Sequence, residues 1–195
     1  MFAGCPTPRF RRPKNKIRGV DSHPTLYHSG PRDSSGRQGV AIALPEQANC
    51  ALLAWEPVND RMAYVQLKGH FTNMYIVSVY ALTSSAEQQD KENVYSQLEE
   101  LVERPPRYDL LIVAGNWNGR TGTGGPSNGP LIGLFELDSR SDNGERMLQF
   151  AKQNRLFVTN TCFQHHHENL LTWYLNDRSD RLHYIWSTAS QLGSR

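Results

Sequence analysis

Cysteine is scarce in these 195 residues: Cys5, Cys50 and Cys162 are scattered and form no C-x-x-C pair. Their spacing excludes the dense disulfide framework of small secreted domains and a cysteine-built zinc site, and fits a reducing intracellular setting, nuclear or cytoplasmic. Long apolar runs are missing too. No stretch reaches the ~18 residues of a membrane helix, and residues 1–18 hold nothing like the apolar heart of a secretory signal, so a soluble chain without a membrane partner is expected. There is no internal repeat. Neither sign of charge dominates, with 21 Lys and Arg against 19 Asp and Glu.

What is present is ordinary globular composition, 38% hydrophobic and 21% charged, enough for one domain with a core. The charge is uneven. Residues 1–37 hold eight Lys and Arg against two Asp, a net of +6 that leaves −4 for residues 38–195. Residues 1–37 read as a basic, disordered leader broken by Pro6, Pro8 and Pro13, and residues 38–195 as the folded part. Arg9, Arg11, Arg12, Lys14, Lys16 and Arg18 are either simply solvated or a patch for DNA phosphates or nuclear localisation.

From Gly39 the pattern is that of alternating strands and helices. Residues 39–44 (GVAIAL) form a short apolar run closed by Pro45, as a buried strand does. Residues 61–67 alternate, and residues 74–80 (MYIVSVY) are nearly continuously apolar, which predicts a hairpin ending in an interior strand. Ser84 with Glu87, or Ser85 with Gln88, has capping-box spacing. Val94, Tyr95, Leu98, Leu101 and Val102 then repeat at helical spacing up to Pro105-Pro106. Residues 109–115 read as a second interior strand followed by a loop rich in Gly, Thr and Ser. Residues 143–154 predict a helix with Met147, Leu148 and Ala151 on one face, and residues 156–159 a strand. Residues 170–175 and 182–187 read as strands joined by a turn over 176–180. Interior strands alternating with two helices argue for sheets covered by helices rather than a bundle or an all-β barrel.

The segment most informative about chemistry is 111–120 (LIVAGNWNGR), where a buried strand runs into a polar turn carrying Asn116 and Asn118. It resembles the G-D-x-N motif of the endonuclease/exonuclease/phosphatase superfamily, including the endonuclease domains of LINE-type retrotransposons, with Asn116 in place of the motif's Asp. Ser78-Val79-Tyr80-Ala81 resembles that family's V-Y-A-P strand end, and Asn143-Gly144-Glu145-Arg146 its N-G-E-R helix start. Thr172-Trp173 resembles its T-W pair, and Leu182-His183-Tyr184-Ile185 its I-D-Y-I strand, with His183 in place of Asp.

The resemblance implies a layered α/β sandwich, truncated at both ends, and Mg²⁺-dependent phosphodiester hydrolysis in active relatives. It assigns Tyr80, Asn116, Asn118 and His183 to catalytic positions and Thr172 and Trp173 to the substrate surface. For Tyr80, Thr172 and Trp173 simple packing or strand propensity is the competing account. The family's metal-binding Glu would lie upstream of Tyr27, and its catalytic His beyond Arg195. Asn116 has the shape of Asp but cannot accept a proton near neutral pH, and the imidazole of His183 presents different donors at a different reach.

The expected function is an endonuclease-like domain with a degenerate, impaired site and no bound metal. The alternative is a non-catalytic nucleic-acid-binding remnant of a retrotransposon-derived gene, a pseudoenzyme. Two weaker signals are read as structural. His165-His166-His167 would point adjacent side chains to opposite sides of an extended segment. Gly122-Thr123-Gly124-Gly125 lacks the Gly-Lys-Ser/Thr ending of a P-loop.

Overall fold

A computed structural model of the chain describes residues 24–30, 39–123, 131–133, 135, 139–164, 171–175 and 178–188, with backbone alone for 173–175 and 178–180. The basic residues 9–18, His165-His166-His167 and Gly124-Gly125 lie outside the described residues.

Strands β1 (Thr25–Ser29) and β2 (Val40–Leu44) pair antiparallel. After the single turn α1 (Glu46–Cys50), strands β3 (Leu52–Asn59), β4 (Met62–Leu67) and β5 (Met74–Tyr80) form an antiparallel meander. Helix α2 (Gln88–Glu103) then crosses over to β6 (Leu110–Asn116), which runs parallel to β5, as a strand–helix–strand unit requires. Helix α3 (Asp142–Gln153) and β7 (Leu156–Val158) follow, then the short pair β8 (Trp173–Leu175) and β9 (Arg178–Asp180). Finally β10 (His183–Thr188) inserts antiparallel between β6 and β7. The resulting six-stranded mixed sheet has the order β3-β4-β5-β6-β10-β7.

Both faces of its central strands are used. One face sends Val77, Val79, Leu111 and Val113 against Leu98 and Leu101 of α2 and Met147, Leu148 and Phe150 of α3. Each side chain of this kind, fully buried, contributes about 1.5–3 kcal/mol. On the other face, Val65 and Leu67 pack with Tyr27 and Leu44 of the β1–β2 pair. Helices, main sheet and small sheet make the layered α/β sandwich expected from the sequence.

Where the structure departs from expectation, local chemistry explains it. Strand β1 falls within the segment read as leader, and its Tyr27 reaches the second core, with its hydroxyl on Asn49. Strand β3 escapes pattern reading because Glu56 and Pro57 interrupt it and two bulges shift its register; it is an edge strand, where proline costs no ladder bond. The capping box is not formed. Helix α2 starts at Gln88 without a side-chain cap, while Ser85 Oγ pairs with Thr83 Oγ1 and Ser84 gives its carbonyl to Lys91. The turn read over 176–180 carries β9, so β8 pairs with β9 and not with β10.

Candidate functional site

Strand register brings the distant motif residues together. Asn116, the last residue of β6, lies opposite Tyr80 of β5 on one side and His183 of β10 on the other. Residues opposite one another in a sheet share a face, so Tyr80, Asn116 and His183 form one row at one end of the sheet. Arg61 extends the row by one strand: its carbonyl accepts from Tyr80 N at 2.8 Å, and its guanidinium carbon sits 5.2 Å from the Tyr80 ring centroid.

A packed aromatic floor fixes these strand ends. Trp117 and Trp186, both fully buried, stack with centroids 3.6 Å apart and planes 19° from parallel. Trp117 Nε1 donates to Tyr184 O at 3.2 Å, and Trp117 N to Leu182 O at 2.7 Å. These bonds tie the residue after Asn116 to the residues flanking His183.

The turn after β6 is shaped by the two asparagines. Asn118 adopts a left-handed backbone, φ 48°, which Asn tolerates better than most residues. Its N–H donates to Asn116 Oδ1 at 2.9 Å, and its Nδ2 to Ala81 O at 2.8 Å. Asn116 thus accepts the backbone bond that an aspartate would accept there, so the turn keeps its shape without the charge. The Asn118 amide is directed to backbone.

His183 is exposed at its edge, yet partial burial still holds its imidazole below the ordinary histidine range, which leaves it neutral at pH 7. Its N–H and that of Leu182 both point to Thr172 Oγ1, at 3.3 and 3.0 Å. The hydroxyl of Thr172 therefore braces the start of β10 beside the row. Trp173 lies in β8, and its side chain is outside the described residues.

Three further residues shape this end of the sheet, and sequence reasoning gave them no role. Arg61 is one. Asn143, buried at the start of α3, donates from Nδ2 to Leu82 O at 3.1 Å and Asn118 O at 2.9 Å. Asn160 braces β10 through His183 O at 3.3 Å and Ile185 N at 3.2 Å. Only Asn143 carried a signal, its place in the N-G-E-R segment.

The row offers an imidazole, a phenol and an amide, with a second amide in the turn, whereas Mg²⁺ is held by carboxylate and carbonyl oxygens in near-octahedral geometry. Among the described residues, no group of three or more His, Cys, Asp or Glu side chains is placed to hold a metal ion. These residues do not fit the Mg²⁺ that the motif resemblance implies.

No family model matches the chain. In sequence it is 33% identical over 162 residues to craniofacial development protein 2 of Bos taurus, covering 82% of this chain and 27% of that protein. It thus spans about a quarter of the length of that relative. Among solved structures it is similar to the endonuclease domain of TRAS1, a telomere-specific non-LTR retrotransposon, with TM-score 0.56 and 14% identity over 84% of this chain and 65% of that one. A protein of the endonuclease/exonuclease/phosphatase family from Leptotrichia buccalis gives TM-score 0.54 and 15% identity, over 86% of this chain and 61% of that one. At these identities the structural likeness shows the fold.

Proposed function

We propose that this chain, which has the endonuclease/exonuclease/phosphatase fold and is similar in sequence to craniofacial development protein 2, is a nuclease-like domain with a degenerate site. In our reading it holds a phosphodiester and hydrolyses it poorly or not at all. The observation that carries this is the Tyr80–Asn116–His183 row, which contains no carboxylate. Hydrolysis requires a group that takes the proton of an attacking water. The amide of Asn116 has no such capacity, and its oxygen is already engaged by Asn118 N. His183 is neutral and able to accept a proton, but it lies one strand away from Asn116. Tyr80 keeps a hydroxyl for a phosphate oxygen, and the Asn118 amide serves the turn. Losing one key catalytic group commonly costs several orders of magnitude in rate, and two are replaced in this row.

A nicking assay on supercoiled plasmid with Mg²⁺ tests this reading. The expected result is no cleavage above background. Cleavage by the purified chain that Tyr80→Ala abolishes would sink it. The double change Asn116→Asp and His183→Asp is the companion, expected to raise any residual rate.

The +6 charge of residues 1–37 supports a second reading, in which a non-catalytic remnant of a retrotransposon-derived gene binds DNA through its basic leader. Neutralising Arg9, Arg11 and Arg12 to Gln in the full chain would then weaken DNA binding and flatten its salt dependence.

A further inference from the structure

The inference concerns Arg61 and rests on the reading of a degenerate site. Arg61 is half-buried at the turn into β4, where its N–H donates to Asn59 Oδ1 at 2.7 Å. Its guanidinium lies over the Tyr80 ring, and NH1 reaches Tyr80 O at 3.5 Å. It forms no ion pair with a described carboxylate, whereas Arg104 pairs with Glu56 at 3.1 Å and Arg140 with Glu145 at 2.8 Å. Asp60, next to it in the chain, is exposed. A half-buried guanidinium stacked on an aromatic ring keeps several N–H donors in a fixed fork, matched to phosphate oxygens.

The charge of the row follows directly. Arg61, Tyr80, Asn116 and His183 cross the ends of three adjacent strands and the turn into a fourth, and carry one formal positive charge at pH 7. With Asp at 116 and 183 the same row would carry net negative charge and would need a cation before an anion could approach. We propose that Arg61 makes this end of the sheet a metal-independent binding site for the phosphodiester backbone of a nucleic acid strand. The row spans about 14 Å at ~4.8 Å per strand. That exceeds a single phosphate group, so the row can meet more than one phosphate of a strand.

The test is fluorescence anisotropy of a short fluorescein-labelled single-stranded DNA with the full chain, in EDTA and in Mg²⁺. Wild-type affinity is expected to be the same in both. Arg61→Gln should weaken binding about tenfold and reduce the salt slope by about 0.7, while Arg61→Lys, which keeps the charge but loses the stacked fork, should lose less affinity and keep the wild-type salt slope. Asn116→Asp should weaken binding in EDTA and recover in Mg²⁺. Equal losses in Arg61→Gln and Arg61→Lys would mean a structural role and overturn the proposal. So would loss of wild-type binding in EDTA, or an Arg61→Gln variant that binds as wild type while the Arg9, Arg11 and Arg12 to Gln chain does not. Displacement of the DNA by an equal concentration of inorganic phosphate would overturn the assignment to a nucleic acid strand. Plasmid nicking in Mg²⁺ is scored separately: it would defeat the reading of an impaired nuclease and leave the EDTA result intact.

Discussion

Asn143 Nδ2 lies 2.9 Å from the backbone carbonyl of Asn118, joining the first turn of α3 to the turn that ends in the candidate site. The same nitrogen reaches Leu82 O at 3.1 Å, so one buried amide closes two loops at once. Replacing it by alanine leaves two carbonyls without that donor, and a buried polar group left unsatisfied costs about 1–3 kcal/mol. Both carbonyls are only partly buried, so Asn143→Ala is expected to lose about 1–3 kcal/mol in urea unfolding. Asn143→Asp should fare no better, because a carboxylate cannot donate to carbonyls. An unchanged unfolding midpoint for either variant would show that the bridge carries no stability.

Gly144, the next residue, explains why a glycine follows that asparagine. A Cβ built there would come 1.6 Å from Arg120 O, a backbone atom that cannot swing aside. Gly144→Ala must push α3 away from the turn at Arg120 and loosen the Asn143 bridge with it. Overpacking of this kind costs about 1–3 kcal/mol, so a lowered melting temperature is expected. Gly115, where a Cβ would meet Val79 O at 1.8 Å, should behave in the same way at the β5–β6 contact.

These two residues show how far the sequence could be read. The interior strands β5 and β6 and the helical faces of α2 and α3 were legible, because burial on both faces or on one stripe leaves a clear apolar period. The row of Tyr80, Asn116 and His183 was legible only as separate motifs; its existence depends on register, which no local pattern states. Arg61 was invisible, since its role comes from stacking on a residue 19 positions away. The capping box failed for a different reason: the Ser85 hydroxyl pairs with Thr83 Oγ1 in its own turn, a local bond that competes with a cap, while Ser84 gives its carbonyl to Lys91 Nζ.

Arg155 gives a prediction with the opposite sign. It follows α3 with φ 54°, a left-handed conformation that costs a non-glycine residue about 1–2 kcal/mol. Its side chain is exposed, and its N–H donates to Lys152 O at 3.3 Å, a bond glycine would keep. Glycine is the usual residue at this position after a helix. Arg155→Gly should therefore stabilise the chain by up to about 1 kcal/mol, the gain being reduced by glycine's larger entropy when unfolded. A drop in the urea midpoint would mean that the arginine side chain holds something that its exposure does not reveal.

His183 links the site to pH. Its folded pKa lies below the unfolded value of about 6.5 because burial disfavours the imidazolium. Below that value the unfolded chain binds more protons than the folded one, so stability rises with pH. The contribution is intact above about pH 6.5 and is lost as pH falls through the folded pKa, after which it no longer changes. A proton titration followed by NMR should give a His183 midpoint below that of a histidine in a flexible peptide. Urea unfolding should show a stability loss on acidification that is smaller in His183→Asn, whose side chain does not titrate. A His183 midpoint at or above 6.5 would mean that the imidazole is charged more readily than its burial allows. Below that midpoint it would stand beside Asn116 as a cation, adding a second positive charge to the row that Arg61 begins.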